Sequence, residues 1–336
     1  MSPEIPRQRT RRLAPALLGA AMATGVLAAA SAGGAPEGVT ATVPGSGAEF
    51  SDARPATDDG APATDGDRPG APDDARAPAY ATRGSGERVP PRWADATAAL
   101  ARSVEPLEAE PAVRISVAVL DPVSGYTLRY GAGHYDTASI VKVDIVAGLL
   151  LLAQDEGRSL TAEERRLASD AVRLSDNDAT HELWSMIGGE EGLDRLNARF
   201  GLTLTRGGEG GHWGLTRTTA ADQVTVLRAV FDQRSPLARP ARAYLEGLMG
   251  SVAEGQRWGV SAAAADADGT ALKNGWLPRS TTGLWNINSI GRVEVGGREY
   301  LMAVLSSGHR TGDEGIERVE AAAQAAMDVI RSTGRA

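Results

Sequence analysis

The sequence predicts an α+β fold, in which an antiparallel sheet is covered by helices from both ends of the folded region and an all-helical block is inserted between its strands. Three observations support this prediction: a β-hairpin pattern begins near residue 113, a long series of helical patterns follows it, and strand patterns return only after residue 270. Strands and helices segregated along the chain in this way are typical of α+β domains. Hydrophobic residues make up 42% of the chain, enough for a sizeable core.

Residues 1–32 are predicted to be a signal peptide. Four arginines between residues 7 and 12 precede an uninterrupted apolar and small-residue run, and Ala30-Ser31-Ala32 fits a cleavage site. The alternative is a membrane anchor, but the run ends without stop-transfer charges. Arg11-Arg12 also resembles a twin-arginine motif, so the export route stays open. We expect a secreted protein of the cell envelope, with no stable membrane span after cleavage.

Residues 33–88 are dominated by Gly, Pro, Ala, Asp, Ser and Thr, with almost no large apolar side chains. Such a segment buries too little surface to offset its ordering entropy, and its aspartates repel one another. We therefore predict a disordered acidic linker, either a tether across the envelope or a plain spacer. Residues 89–336 are then the folded domain.

Each element of this domain has a local signal. A helical pattern spans 91–104, and β-branched residues over 113–120 and 126–130 predict two strands joined by a turn at 121–125. Apolar periodicity predicts helices over 139–155, 162–187, 191–200, 219–233 and 237–253. Further strands are predicted over 270–276, 283–293 and 300–307, with a turn at Gly296-Gly297, before an Ala-rich amphipathic helix over 316–330.

Composition narrows the function. The chain has no cysteine, which removes disulfides, thiol nucleophiles and cysteine-ligated metals. A net charge of −8 disfavours nucleic acid and anionic membranes as partners. The four histidines are scattered without a close pair, so we expect neither a metal nor a cofactor. The expected partner is a small-molecule or peptide substrate, and we expect a monomer.

Lysine is rare in this chain. Of the 35 basic residues only Lys142 and Lys273 are lysines, and the others are arginines. A genomic bias toward arginine codons explains part of this ratio. However, a buried lysine can release its proton, whereas an arginine cannot. These two lysines are therefore the first candidates for chemistry, and both lie in motifs.

Ser139 and Lys142 form a Ser-x-x-Lys motif at the start of an apolar helix. A spacing of three places both side chains on one helix face, and the N–H groups of a helix start favour an oxyanion. Lys142 can act as a base if burial or a second cation lowers its pKa. The alternative is a helix cap followed by a surface lysine.

Ser175-Asp176-Asn177 lies between the apolar stretch 167–174 and the helical run 179–187. Its serine hydroxyl can pass a proton to a leaving nitrogen, and the Asn177 amide can hold a substrate carbonyl. The alternative is a helix N-cap with a turn.

Lys273-Asn274-Gly275 enters Trp276 on a strand. Lys273 would supply positive charge for a substrate carboxylate and lower the pKa of the other lysine. Gly275 permits a close approach, and the backbone N–H of Trp276 is a candidate oxyanion donor. The alternative is an edge-strand lysine that prevents aggregation.

In this order and setting the three motifs resemble those of the penicillin-recognising serine hydrolases, and the Ser-Asp-Asn form resembles the class A β-lactamases in particular. The resemblance covers about residues 92–333. It implies a five-stranded antiparallel sheet flanked by helices, plus a helical subdomain. It also implies a nucleophile, a base and a proton carrier in Ser139, Lys142 and Ser175; substrate contacts from Asn177, Lys273, Asn274 and Gly275; and an oxyanion hole from the N–H groups of Ser139 and Trp276.

Three features depart from the class A pattern. Ser139 and Ser175 are closer in sequence than is typical, and Asn274 stands where β-lactamases carry a hydroxyl that helps to hold the substrate carboxylate. No Glu-x-x-Leu-Asn pattern, whose glutamate positions the deacylating water, occurs between Phe200 and Thr219. Glu209 is the only acid in that Gly-rich segment and is the candidate for deacylation, with His212 second, although both also fit a loop without catalytic function.

We expect an acyl-enzyme serine hydrolase that acts on a β-lactam or a related amide or ester. Two alternatives stay open. One is a penicillin-binding peptidase or esterase that deacylates β-lactams slowly, which the missing glutamate favours. The other is a non-catalytic envelope binding protein, against which the two retained lysines argue.

Overall fold

An antiparallel sheet lies at the centre of the fold in the computed structural model, which describes residues 80–82, 91–267 and 269–333. Its strands lie in the order β1-β3-β2-β8-β7-β6. They are β1 (Tyr80–Thr82), β2 (Arg114–Leu120), β3 (Thr127–Tyr130), β6 (Ala271–Pro278), β7 (Trp285–Val295) and β8 (Arg298–His309). A separate ladder joins β4 (Tyr135–Asp136) to β5 (Arg217–Thr218). Five strands of the main sheet are those predicted, and the α+β fold is confirmed.

The sixth strand, β1, is a short addition at the sheet edge. It pairs with β3 from within the stretch predicted as a linker. The predicted signal peptide, 1–32, and the rest of the predicted linker lie outside the described residues.

The sheet separates two hydrophobic cores. Successive side chains of a strand point to opposite faces. Accordingly, Met302 and Val304 of β8 join one core, whereas Leu301, Ala303 and Leu305 join the other. The first core is covered by the two terminal helices, α1 (Pro91–Val104) and α8 (Gly312–Thr333). The small residues of α8, including Ala322, Ala323 and Ala326, are fully buried there.

The second core lies under the helical block, which is inserted between β3 and β6. Its helices are α2 (Val141–Asp155), α3 (Ala162–Ser169), α4 (Asn177–Met186), α5 (Gly189–Phe200), α6 (Ala220–Phe231) and α7 (Arg239–Gly250). Helix α2 is buried on nearly all sides, as its almost continuous apolar sequence requires. Within the described residues, no helix has the length and apolar character needed to cross a membrane.

The prediction of a single helix over 162–187 is wrong, because the helix is interrupted near its middle. Helix α3 ends at Ser169, a π-helical turn spans Asp170–Leu174, and Ser175 adopts the left-handed conformation with φ of 61°. Asp176 then caps α4 by accepting a hydrogen bond from the Ala179 N–H at 2.7 Å. This break turns the Ser175 side chain into the cleft between the helical block and the sheet.

Candidate active site

Ser139 lies at the N-terminal end of the buried helix α2. It occupies the middle of a 3₁₀ turn, Ala138–Ile140, that leads directly into the helix. The preceding residue, Ala138, has a φ of 47°, a conformation that is costly for a residue with a Cβ atom. Such a strained conformation persists only where many surrounding contacts hold the backbone in place, and this is common at functional sites. Ser139 is 5% exposed, and its hydroxyl makes no hydrogen bond to another described residue.

Neighbouring strands fix the turn that carries Ser139. The Thr137 N–H donates to the Thr216 carbonyl at 2.8 Å, next to the β4–β5 ladder. From β7, the Asn288 side chain donates to the carbonyls of Asp136 and Thr137 at 2.9 and 3.1 Å. The turn that carries Ser139 is thus held from both sides by the sheet and by the loop before α6.

Strand β6 passes very close to the same turn. A Cβ atom at Gly275 would lie 2.8 Å from the Ser139 nitrogen and 2.7 Å from the Thr137 carbonyl oxygen. Real Cβ atoms do not make such contacts, so this approach requires glycine. It brings the backbone of β6, including Trp276, next to the Ser139 N–H, which is the arrangement that an oxyanion hole needs.

The Lys142 amine is fully buried and has three oxygen neighbours. It lies 2.7 Å from the Ser175 carbonyl, 2.9 Å from Asn177 Oδ1 and 3.3 Å from Ser175 Oγ. Burial, and then the charge of Lys273, hold the pKa of Lys142 well below its usual range, and Asp176 opposes this shift. A neutral amine therefore fits this position.

The Lys273 amine reaches the same serine hydroxyl from strand β6. It lies 3.0 Å from Ser175 Oγ, 2.8 Å from the Asn274 carbonyl and 3.5 Å from Gln256 Oε1. Burial lowers the pKa of Lys273 to about 7. Lys273 is 0% exposed, which excludes the alternative of a solvent-facing edge-strand lysine.

Ser175 Oγ lies within hydrogen-bond distance of both amines, at 3.3 Å from Lys142 and 3.0 Å from Lys273. A neutral amine has two N–H donors and one lone pair, whereas an ammonium has three donors. Each amine has three oxygen neighbours, so either protonation state can satisfy its partners. With a neutral Lys142, which its lowered pKa favours, the Ser175 hydroxyl can accept from Lys273 and donate to Lys142.

Asn177 and Asn274 lie in different surroundings. Asn177 begins α4, and its Oδ1 accepts from Lys142 while its side chain stays half-buried at the cleft. Asn274 is fully buried, and its amide donates to the carbonyls of Gln256 and Trp258 at 2.8 and 3.0 Å. The structure thus brings Asn177 to the lysines, whereas the Asn274 side chain holds the loop that follows α7.

That loop supplies Gln256, which the sequence analysis missed. Besides accepting from Lys273, Gln256 donates to the Leu174 carbonyl at 2.9 Å. It therefore joins strand β6 to the turn that presents Ser175. No local motif marks this residue, because its contacts depend on how the loop after α7 folds over the sheet.

A second residue that the sequence analysis missed is Trp213. It is buried, and its ring centroid lies 4.8 Å from the Lys142 amine. The Gly-rich segment before it was considered only for its acid, Glu209. Glu209 and His212 are both exposed, and in the described residues no hydrogen bond links either side chain to the lysines or to Ser139. A large apolar side chain two residues after the Gly-rich run 207–211 was the available signal.

Comparisons with known proteins agree with this architecture. Residues 156–330, just over half of the chain, match the family model described as "Beta-lactamase enzyme family". The match begins after Lys142 and includes Ser175 and Lys273. "Putative lipoprotein LppW" of Mycobacterium tuberculosis, and that of Mycobacterium bovis, are 31% identical over 172 residues, covering 48% of this chain and 54% of LppW. The chain thus spans about half the length of the curated relatives that it matches.

Solved structures of class A β-lactamases share the fold. TLA-1 extended-spectrum β-lactamase superposes with a TM-score of 0.61 at 18% identity, covering 69% of this chain and 98% of that enzyme. A class A β-lactamase from Mycobacterium abscessus gives a TM-score of 0.58 at 22% identity, covering 70% and 99%. Identities this low show the fold alone. Together with the family match, they establish that this chain belongs to the β-lactamase enzyme family and has a class A-like fold.

Proposed function

We propose that the protein is a serine hydrolase that acts through an acyl-enzyme on Ser139, with a β-lactam or a related amide or ester as substrate. The observation that carries this proposal is the meeting of the chain's only two lysines at one hydroxyl, beside the strained turn that presents Ser139. Burying two amines is costly, so a structure that needed only stability would use apolar side chains there.

We propose the following acylation step, with Ser139 and Lys142 acting from the start of the same helix. The Ser139 oxygen attacks the substrate carbonyl carbon while its proton passes to the neutral amine of Lys142. The N–H groups of Ser139 and Trp276 hold the oxyanion that forms. The C–N bond then breaks, and the leaving nitrogen takes the proton of the Ser175 hydroxyl, which is replaced from the lysines. An ester of Ser139 is left.

Substrate recognition is proposed to involve Asn177 and Lys273. The Asn177 amide nitrogen would donate to a substrate carbonyl, while the positive charge of Lys273 would favour a carboxylate. Asn274 lacks the hydroxyl found in β-lactamases, and its amide is already bonded to the loop. We therefore assign Asn274 to support of the site, and we infer weaker carboxylate binding than in class A enzymes.

We also propose that the protein acts in the cell envelope after export. The relatives named LppW are called lipoproteins, and the residues from 1 to 32 carry the signal pattern described above. The 336 residues contain no cysteine that could carry a lipid. Export of the folded domain behind an acidic linker agrees with this proposal.

The proposed function can be tested with a penicillin. The purified protein is mixed with the penicillin, and the intact mass of the protein is recorded over time. We expect the mass to rise by that of one penicillin, and the adduct to clear slowly because Glu209 does not reach the lysines. Ser139→Ala is the control and should form no adduct. If neither penicillins nor activated esters modify Ser139 in the unaltered protein, the enzyme proposal is wrong and the binding-protein alternative is favoured.

A further inference from the structure

The Lys142 amine is buried between oxygen atoms and an aromatic ring. Oxygen atoms of Ser175 and Asn177 surround one side of it, and the indole ring of Trp213 covers another with its centroid at 4.8 Å. Lys142 is 0% exposed and Trp213 is 6% exposed. A water molecule that is to give a proton to this amine must come within about 3 Å of it. On the side that the indole ring covers, carbon atoms occupy the space that such a water would need.

A tightly folded loop holds the indole ring in place. The Gly208 N–H donates to Thr216 Oγ1 at 3.2 Å, and the Thr216 N–H donates to the Trp213 carbonyl at 3.1 Å. A Cβ atom at Gly208 would lie 2.1 Å from the His212 carbonyl oxygen, so the loop could not close this way around a larger residue. On its outer side, the ring of His181 meets Trp213 edge-on at 5.7 Å.

We propose that Trp213 is a positioning residue that keeps water away from Lys142 and so makes the acyl-enzyme long-lived. This inference rests on the proposed function. In hydrolysis, a water oxygen attacks the ester carbonyl of acylated Ser139 and its proton passes to Lys142. The C–O bond to Ser139 then breaks, the Ser139 oxygen recovers that proton, and a carboxylic acid leaves. The first proton transfer is the step that Trp213 obstructs.

Variants at residue 213 test this role with a penicillin as the probe. Trp213→Ala should clear the adduct at least about tenfold faster than the unaltered protein, a modest share of what a general base contributes. Trp213→Phe keeps an aromatic cover and is the matched control, with clearance expected within about threefold of the unaltered protein. Both rates are read by intact mass spectrometry after excess penicillin is destroyed.

The rate of adduct formation separates positioning from simple damage to the site. The acylation rate of Trp213→Ala should stay within about fivefold of that of the unaltered protein, while its adduct clears faster. A disrupted site would slow both acylation and clearance. If the adduct forms and then clears equally slowly in the two proteins, the inference is wrong and the proposed function stands. If no adduct forms in the unaltered protein, the proposed function itself fails.

Removal of a buried indole ring can prevent folding, so a second variant and a second measurement are included. Trp213→Leu retains part of the apolar volume without the ring and should also clear faster. Hydroxylamine attacks esters without a general base, and it should release the acyl group from the unaltered protein at least about tenfold faster than water does. Failure of hydroxylamine to accelerate release would overturn the inference, because the ester and not the base would then be inaccessible.

Discussion

At the scale of single residues, the Ser175 hydroxyl is the point at which both lysines meet. The residue adopts a left-handed conformation that costs about 1–2 kcal/mol for a side chain with a Cβ atom. That conformation places the hydroxyl 3.3 Å from one amine and 3.0 Å from the other. We propose that a proton passes between the amines through this oxygen.

This arrangement predicts a bell-shaped pH profile for acylation. The rate should rise as Lys142 loses its proton, and it should fall as the pH rises through about 7, where burial makes Lys273 lose its proton. Lys273→Arg keeps a positive charge at all these pH values, because arginine does not deprotonate. The variant should be slower overall but should lack the alkaline fall.

Acylation rates measured from about pH 5 to pH 9 in both proteins test this assignment. Profiles of the same shape would show that Lys273 is not the group that titrates. Lys142→Arg serves as the reference, since loss of the only neutral amine should abolish acylation across the whole range.

Sequence reasoning predicted which residues lie together better than it predicted their contacts. The rarity of lysine directed attention to Lys142 and Lys273, and both do lie in one buried cluster. The sequence places Lys142 beside Ser139, but in the structure both lysines contact the Ser175 hydroxyl. Apolar periodicity cannot report a left-handed residue, because that conformation is stabilised here by contacts with distant parts of the chain.

At the scale of elements, the approach of β6 to the turn that carries Ser139 would decide the geometry of the proposed oxyanion hole. Gly275→Ala would place a methyl group against the backbone atoms of Thr137 and Ser139, which cannot move away as a flexible side chain would. We expect acylation to slow by about a hundredfold, as for loss of one oxyanion donor, and overpacking to cost about 1–3 kcal/mol of unfolding free energy.

Gly247→Ala in α7 is the matched control for that change. No atom lies within 4 Å of the added Cβ position, so the variant should keep full acylation and gain about 0.5–1 kcal/mol of stability. Both variants are compared by acylation rate and urea unfolding. Normal acylation in Gly275→Ala would mean that β6 contributes no oxyanion donor.

At the scale of the whole molecule, the order of strand and helix patterns was sufficient to predict the fold. The predicted strands and helices occur in the structure with ends shifted by a few residues, except where Ser175 divides one helix. The positions of Trp213 and Gln256 were beyond that reasoning. Each lies in a loop, and its contact with a lysine depends on the packing of the helical block against the sheet.

The same packing buries an acid in the centre of the molecule. Asp144 lies on α2, is 1% exposed, and accepts a hydrogen bond from Gln223 Nε2 at 3.4 Å. Among the described residues, Asp144 Oδ1 and Gln223 Oε1 are two buried acceptors without a donor. A proton on Asp144 would satisfy both, since the carboxylic acid and the amide could then pair through two hydrogen bonds. Burial, together with the charge of Asp222, raises the pKa of Asp144 to about 8.

This buried acid predicts a pH dependence of stability that is opposite to that of an ion-paired carboxylate. In the unfolded protein the pKa of Asp144 is about 4. Below that pH Asp144 is protonated in both the folded and the unfolded state, so it does not change the unfolding free energy with pH. Between about pH 4 and pH 8 only the folded state holds the proton, so this group should lower the unfolding free energy by up to about 1.4 kcal/mol per pH unit.

Asp144→Asn tests this prediction, because it reproduces the two hydrogen bonds of the protonated acid without titrating. Its stability relative to the unaltered protein should therefore increase steadily between those pH values in urea unfolding, while the contributions of all other carboxylates cancel. A difference that stays constant with pH would show that Asp144 is already ionised in the folded protein, with its charge compensated by the packed helical block.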